Sequence, residues 1–151
     1  MPDTVTPEVR SRMMGGIRGK NTRPEMLLRQ GLHAAGFRFR LHDRKLPGSP
    51  DLVFPRYRAV IFANGCFWHG HDCHLFKIPS TRPEFWLPKI EGNRRRDGVA
   101  AVALAGAGWR QAVIWECALK GRTRRPLAEI LESCAAWLIS DLPHLEIRGM
   151  E

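Results

Sequence analysis

The chain has 151 residues, 44% of them apolar, enough for one folded domain with a real core and too many for a disordered chain. Lys and Arg number 24 against 15 Asp and Glu, a formal charge of +9 in which arginine, the better fork for phosphate oxygens, dominates; the balance points to a nucleic-acid partner. No apolar run is long enough to span a bilayer and Met1-Pro2-Asp3-Thr4-Val5 lacks the regions of a signal peptide, so a membrane role is excluded and a cytoplasmic location expected, where Cys/His spacing means metal more often than disulfide.

Residues 1–21 read as a flexible basic N-terminal arm, with Arg10, Arg12, Arg18 and Lys20 around the Gly15-Gly16 pair. A single domain is expected over 22–140, followed by a C-terminal tail over 141–151. Thr22-Arg23-Pro24-Glu25 is a capping box with proline at the helix start, and the helix carries Met26, Leu27, Leu32 and Ala35 and stops at Gly36. Phe37-Arg38-Phe39-Arg40-Leu41 alternates with the period of a half-exposed strand. After the turn Leu46-Pro47-Gly48-Ser49-Pro50, residues Asp51–Phe54 and Ala59–Ala63 read as two buried strands joined by a hairpin. Thr81-Arg82-Pro83-Glu84 reads as a second capping box, opening a helical stretch to about Ala107 that Pro88 and Gly92 are expected to bend or split. A strand from Trp109 to Trp115 and an amphipathic helix over 125–139 complete a mixed α/β domain. Cys134 lies on the apolar stripe of that helix and is expected to be a packed core thiol.

The densest chemistry lies in Gly65-Cys66-Phe67-Trp68-His69-Gly70-His71-Asp72-Cys73. Thiolate and imidazole are the ligands zinc prefers, and a structural site takes four. Cys66 and Cys73 are separated by six residues, and Cys117 follows Cys73 by 44 at a strand end, so with His71 they make a Cys₃His set that would tie the loop to the sheet. His69 and His74 are rival fourth ligands, and spacing does not decide among the three. Asp51, at the mouth of a strand, can bind Mg²⁺ or simply cap a turn. Glu25 has a capping role and could serve a metal as well. His69 has the ring chemistry of a general base. Asn93 and Asp97, four apart, share a helix face beside Arg94, Arg95 and Arg96. Phe67, Trp68 and Trp86 cannot all face a core, and apolar wedges between base steps are one way to open a duplex.

Together these residues resemble the very short patch repair (Vsr) mismatch endonucleases. The resemblance runs through Ser11-Arg12-Met13-Met14, Leu46 to Asp51, Gly65 to Cys73, Phe76-Lys77-Ile78-Pro79, Thr81-Arg82-Pro83-Glu84-Phe85-Trp86, and Trp109 with Trp115-Glu116-Cys117. It implies a restriction-endonuclease-like core, a mixed central sheet flanked by helices with a structural zinc site, and a strand-specific nickase acting beside T·G mismatches left by deamination of 5-methylcytosine. It further implies that Asp51 and the main-chain carbonyl of Ala63 ligate catalytic Mg²⁺, that Glu25 holds metal-bound water, and that His69 orients and deprotonates the attacking water. Asp97 joins Asp51, His69, Glu25 and Asn64 in the implied catalytic set. Zinc would be held by Cys66, His71, Cys73 and Cys117. Phe67, Trp68 and Trp86 would enter the stack next to the mismatch, with Met14, Lys89 and Asn93 contacting the mismatched region.

One departure stands out. The best-known members carry His where this chain has Asn64, which can hydrogen-bond but cannot move a proton at neutral pH. The expectation is that Asn64 positions water or phosphate and His69 alone handles the proton. The Glu-x-Lys signature of many restriction enzymes is absent, as in the family. The implied partners are duplex DNA and, by family analogy, mismatch-repair proteins, and the implied state is a monomer near the bacterial nucleoid. The competing readings are a same-fold nuclease with another DNA substrate, in restriction or defence, and a zinc-stabilised DNA-binding module without catalysis. A zinc-dependent base deaminase is disfavoured, because no His-x-Glu accompanies a Pro-Cys-x-x-Cys.

Overall fold

The structure, a computed structural model, describes residues 21–150. Everything in the expected arm before Asn21, Met14 included, lies outside the described residues. Helix α1 spans Arg23–Ala34 and starts as the capping chemistry demands: Thr22 is the N-cap and its hydroxyl accepts from the Glu25 N–H at 3.4 Å. The reciprocal half is shifted by one residue, because the Glu25 carboxylate accepts from the Asn21 N–H at 3.1 Å. Strand β1 is only Arg40–Leu41; the expected Phe37 and Phe39 turn their rings onto the core instead of extending the ladder. Strands β2 (Leu52–Phe54) and β3 (Ala59–Asn64) form the expected hairpin, closed by a 3₁₀ turn over Pro55–Tyr57.

At the second long helix the expected split does not occur and the expected cap does not form. Helix α2 runs unbroken over Pro83–Gly106, with Pro88 and Gly92 inside it. Pro88 is the sixth helical residue, where proline removes one backbone hydrogen bond and crowds the carbonyl of Glu84, and the helix continues through it. The second capping box does not form: the N-cap is Arg82 at φ 58° with no side-chain cap, rather than Thr81. Strand β4 (Arg110–Trp115) leads into the short helix α3 (Glu116–Leu119), and α4 spans Leu127–Leu138. Residues assigned from sequence to a tail then supply a further strand, β5 (His144–Ile147).

The sheet order is β1-β2-β3-β4-β5. The first three strands are antiparallel, whereas β3–β4 and β4–β5 are parallel, joined by crossovers through α2 and α4. Alternation along the strands builds two cores. Leu52, Phe54, Ile61, Ala112 and Ile114 face Leu28 and Leu32 of α1 and Ile130, Cys134 and Leu138 of α4. Val53 and Val60 face Leu104 of α2 on the other side. The result is helices on both faces of a mixed five-stranded sheet, and Cys134 is the packed core thiol expected. Among the described residues no helix is long and apolar enough to cross a membrane.

Candidate active site and metal centre

The topology brings the chemistry to one end of the sheet. Because β2 runs antiparallel to β3 and β4 runs parallel to it, the start of β2 and the ends of β3 and β4 share an edge. Asp51, Ala63, Asn64 and Glu116 therefore meet there, and the N-terminus of α1 adds Glu25. A cleft of about 670 Å³ opens between them, lined also by Phe67, Trp68, His69 and Asp97. Gly48, at φ +76°, gives the preceding turn room, since a Cβ there would lie 2.9 Å from the Ala100 side chain of α2.

Asp51 accepts from the Ala63 N–H at 2.7 Å. In an extended strand a residue's N–H and C=O point to the same edge, so the Ala63 carbonyl also faces the Asp51 side. Burial pushes the Asp51 carboxyl up to about 7; the Ala63 N–H opposes this, the Glu25 charge adds to it, and His42 and His69 oppose it more weakly. Glu25 is only 1% exposed. Besides the Asn21 N–H it receives Arg29 at 3.2 Å, and the His42 Nε2 lies 2.8 and 2.9 Å from its two oxygens. Glu25, His42 and Asp51 each bring a ligand atom within 4.8 Å of the others, a group able to hold a cation. His42 was not singled out from the sequence. Only the register reveals it, since Leu41 pairs with Leu52 and the next step sets His42 opposite Asp51.

Across the cleft, His69 Nδ1 lies 2.6 Å from Asp97 Oδ2, the pairing that fixes one tautomer and leaves Nε2 as the ring's acceptor. Asn64 is nearly buried at the end of β3, beside Trp115 in register. Asn93 does not stand free on its helix: its amide donates to the Trp68 carbonyl at 2.8 Å, tying α2 to the loop, and its oxygen accepts from Arg96. Phe67, Trp68 and Trp86 form a half-exposed aromatic ledge with ring centroids 5.0, 5.4 and 5.8 Å apart. Lys89 lies along the Phe85 ring at 5.9 Å, on the same helix as Trp86.

The second cluster lies just behind this cleft. Tight turns fold the loop after β3 back on itself, with the His71 N–H on the Cys66 carbonyl at 2.9 Å and the Cys73 N–H on the His71 carbonyl at 2.9 Å. Cys66, His71, Cys73 and Cys117 converge with ligand atoms within 4.8 Å of one another, whereas the rival rings His69 and His74 are not in the group. His71 Nδ1 lies 3.5 Å from the Cys66 sulfur and 3.6 Å from the Cys117 sulfur. The edge of a tetrahedron with zinc–sulfur and zinc–nitrogen bonds of ordinary length is about 3.6 Å, so the donor set fits such an ion. Burial pushes the Cys66 and Cys117 thiols up and holds the His71 ring toward its neutral form. Thiols this buried need a cation to become thiolates, while a neutral imidazole is already a ligand.

The C-terminal strand closes this centre, a contribution the sequence did not reveal. Gly149 donates its N–H to the Cys117 sulfur at 3.3 Å, and a Cβ there would come within 2.5 Å of the Cys117 carbonyl. Arg148 pairs with Asp72 at 3.0 Å, latching the loop from outside. Trp115 stacks on His71, 4.0 Å between centroids at 11°, and its ring also lies 6.2 Å from His69. The Cys/His cluster and the cleft thus share a wall.

The cleft thus sets a buried and a half-buried carboxylate opposite a carboxylate-backed imidazole, with a thiol-rich cluster behind it. A family model for the DNA mismatch endonuclease Vsr matches residues 2–75. The chain is 43% identical over 141 residues to the DNA mismatch endonuclease Vsr of Escherichia coli, covering 93% of this chain and 90% of that protein. The chain belongs to the Vsr family. Other relatives are similar too. The type II nicking enzyme V.XorIIP of Xanthomonas oryzae is 50% identical over 134 residues, 87% of this chain and 98% of that one. The type II nicking enzyme V.NmeAIP of Neisseria meningitidis is 42% identical over 122 residues, 81% and 87% of the two chains. Membership makes this Vsr-family chain a DNA endonuclease, with DNA as its partner.

Proposed function

We propose that this endonuclease nicks one strand of duplex DNA beside T·G mismatches that arise from deamination of 5-methylcytosine, with Mg²⁺ in the cleft and zinc in the cluster behind it. The observation that carries the reading is that one cleft collects Asp51, Glu25 and the His69–Asp97 pair under an aromatic ledge. Asp51 and the Ala63 carbonyl would hold Mg²⁺, which when bound stabilises charge on the phosphate as a Lewis acid. Glu25 would accept hydrogen bonds from the ion's hydration shell. His69 would orient the attacking water and take its proton at Nε2, while Asp97 holds the ring and stabilises the imidazolium that forms. Asn64 would donate its amide to water or to a phosphate oxygen without taking part in proton transfer.

Zinc held by Cys66, His71, Cys73 and Cys117 would be structural, fixing the turn that presents Phe67, Trp68 and His69. Phe67, Trp68 and Trp86 would wedge into the stack at the mismatch, and the half-exposed ledge has the aromatic area for it. Lys89 and Asn93 would approach the mismatched region from α2, and Met14 from the arm. We further infer a monomer in the bacterial cytoplasm, close to the nucleoid, working beside mismatch-repair proteins. The names of several relatives, type II nicking enzymes, support nicking and favour a second reading in which the duplex context follows a partner restriction system. A panel of matched, T·G and other mismatched duplexes with Mg²⁺ separates the two: nicking confined to the T strand of T·G duplexes supports the first, and cleavage of matched sites the second.

A further inference from the structure

We propose that His42 is a positioning residue that locks Glu25 to Asp51 and so sets the spacing of the two carboxylates at the reaction centre. The inference rests on the Mg²⁺-dependent nicking proposed above and deepens it. The donors to Glu25 come from two sources. Asn21 and Arg29 belong to the start and body of Glu25's own helix, so their bonds at 3.1 and 3.2 Å hold the carboxylate to α1 but say nothing about where the sheet lies. His42 comes from the sheet side, one residue after β1, and its Nε2 reaches both Glu25 oxygens, at 2.9 and 2.8 Å. Its backbone N–H meanwhile donates to the Asp51 carbonyl at 3.1 Å. One residue therefore holds Asp51 by its main chain and Glu25 by its side chain.

The backbone of His42 lies at φ 48°, in the left-handed region that non-glycine residues avoid. Strain of this kind persists where the surroundings over-determine it and clusters at functional sites. Here the surroundings are the bonds just named, one from the main chain to Asp51 and one from the ring to Glu25. A plain strand continuation would carry the ring to one face of the sheet, away from the helix terminus. The ring is not needed to satisfy Glu25 electrically, since Arg29 already supplies a cation. What it adds is a fixed direction.

The test uses the full-length, zinc-loaded protein. His42→Asn tolerates the left-handed backbone but is too short to reach Glu25, and His42→Gln restores a donor at nearly the original reach. Partners that orient a metal site typically matter by 10–100-fold. His42→Asn is therefore expected to lower kcat by about that factor and to raise the Mg²⁺ concentration for half-maximal nicking, with KM for the duplex within about twofold, and His42→Gln to recover most of both. Binding of Mn²⁺ alone to the DNA-free protein, followed by its electron spin resonance, should weaken in His42→Asn by about tenfold or more, and it reads the site even if wild-type protein nicks no T·G duplex. Wild-type kcat and Mn²⁺ affinity in His42→Asn would overturn the proposal. So would a Gln variant as impaired as the Asn variant at equal melting temperature and zinc content, or nitrogen coupling to bound Mn²⁺ that disappears with His42, which would make it a ligand instead.

Discussion

Replacing Asp51 by Asn should disable the enzyme and make its fold sturdier, by an amount that the burial of the carboxyl bounds. The Asp51 carboxyl titrates near 7 in the folded protein against an ordinary value of 3.8, mainly because it is buried. At about 1.36 kcal/mol per unit, keeping it ionised at pH 8 costs the metal-free fold about 4 kcal/mol as a ceiling. The folded state holds the extra proton between about pH 4 and 7, so this stability is fully present at the acid end and is lost as the pH rises through 7. Asn is neutral and nearly isosteric, and its carbonyl can still accept the Ala63 N–H. In zinc-loaded protein without Mg²⁺, Asp51→Asn should therefore melt higher than wild type at pH 8, by roughly 8–16 °C at that ceiling for a domain of this size. The gap should shrink to about 1.5 kcal/mol at pH 5, where the native carboxyl is already protonated. Added Mg²⁺ should raise the wild-type melting temperature and leave the variant unmoved, and nicking should fall by about 10³-fold. A variant that melts at or below wild type at pH 8, or a gap independent of pH, would refute the reasoning.

Three further changes probe the rest of the cleft. His69→Ala should cut kcat by about 10²–10⁴-fold with duplex binding retained, and Asp97→Asn should give a smaller loss of the same kind; single-turnover nicking and gel-shift binding together check this. Asn64→His should leave activity close to wild type or raise it, and a large loss of nicking on gaining the imidazole would contradict the positioning role given to Asn64. Cys73→Ser, or stripping the protein with a strong zinc chelator, should release about one equivalent of zinc and lower the melting temperature, because the loop and the β4 end lose their common tie. Metal analysis that finds no zinc in wild-type protein would end that account.

The parts of the fold that were legible in the sequence are those written in local chemistry. Thr22 announces the first helix and its hydroxyl makes the expected bond. The apolar runs around 52–54 and 59–64 announce buried strands, which they are. Strand β5 escaped because His144-Leu145-Glu146-Ile147 is four residues long, follows a proline and pairs with β4 alone, so its identity is a property of the sheet rather than of the segment. The continuity of α2 was misjudged for a similar reason, since Pro88 and Gly92 look like breakers until packing of Ile90 and Leu104 against the body of the domain is counted. At the site, thiols and imidazoles advertise the cluster, but spacing left His69, His71 and His74 open; the resemblance chose His71, and the turn that brings its Nδ1 to the sulfurs gives the physical reason. His42 and Gly149 were invisible for want of register: each matters through a residue far along the chain, Glu25 in one case and Cys117 in the other.

We propose above that this cleft cuts one strand at a T·G mismatch with Mg²⁺ as cofactor. The most direct measurement is strand-resolved cleavage of end-labelled duplexes that differ only in a single base pair, T·G, A·T or C·G, with Mg²⁺ and after its removal. A single nick on the T strand of the T·G duplex is expected, dependent on Mg²⁺ and absent in Asp51→Asn. Equal cutting of the matched duplexes, cutting of both strands, or tight binding of the T·G duplex with no nick at any Mg²⁺ concentration would contradict it.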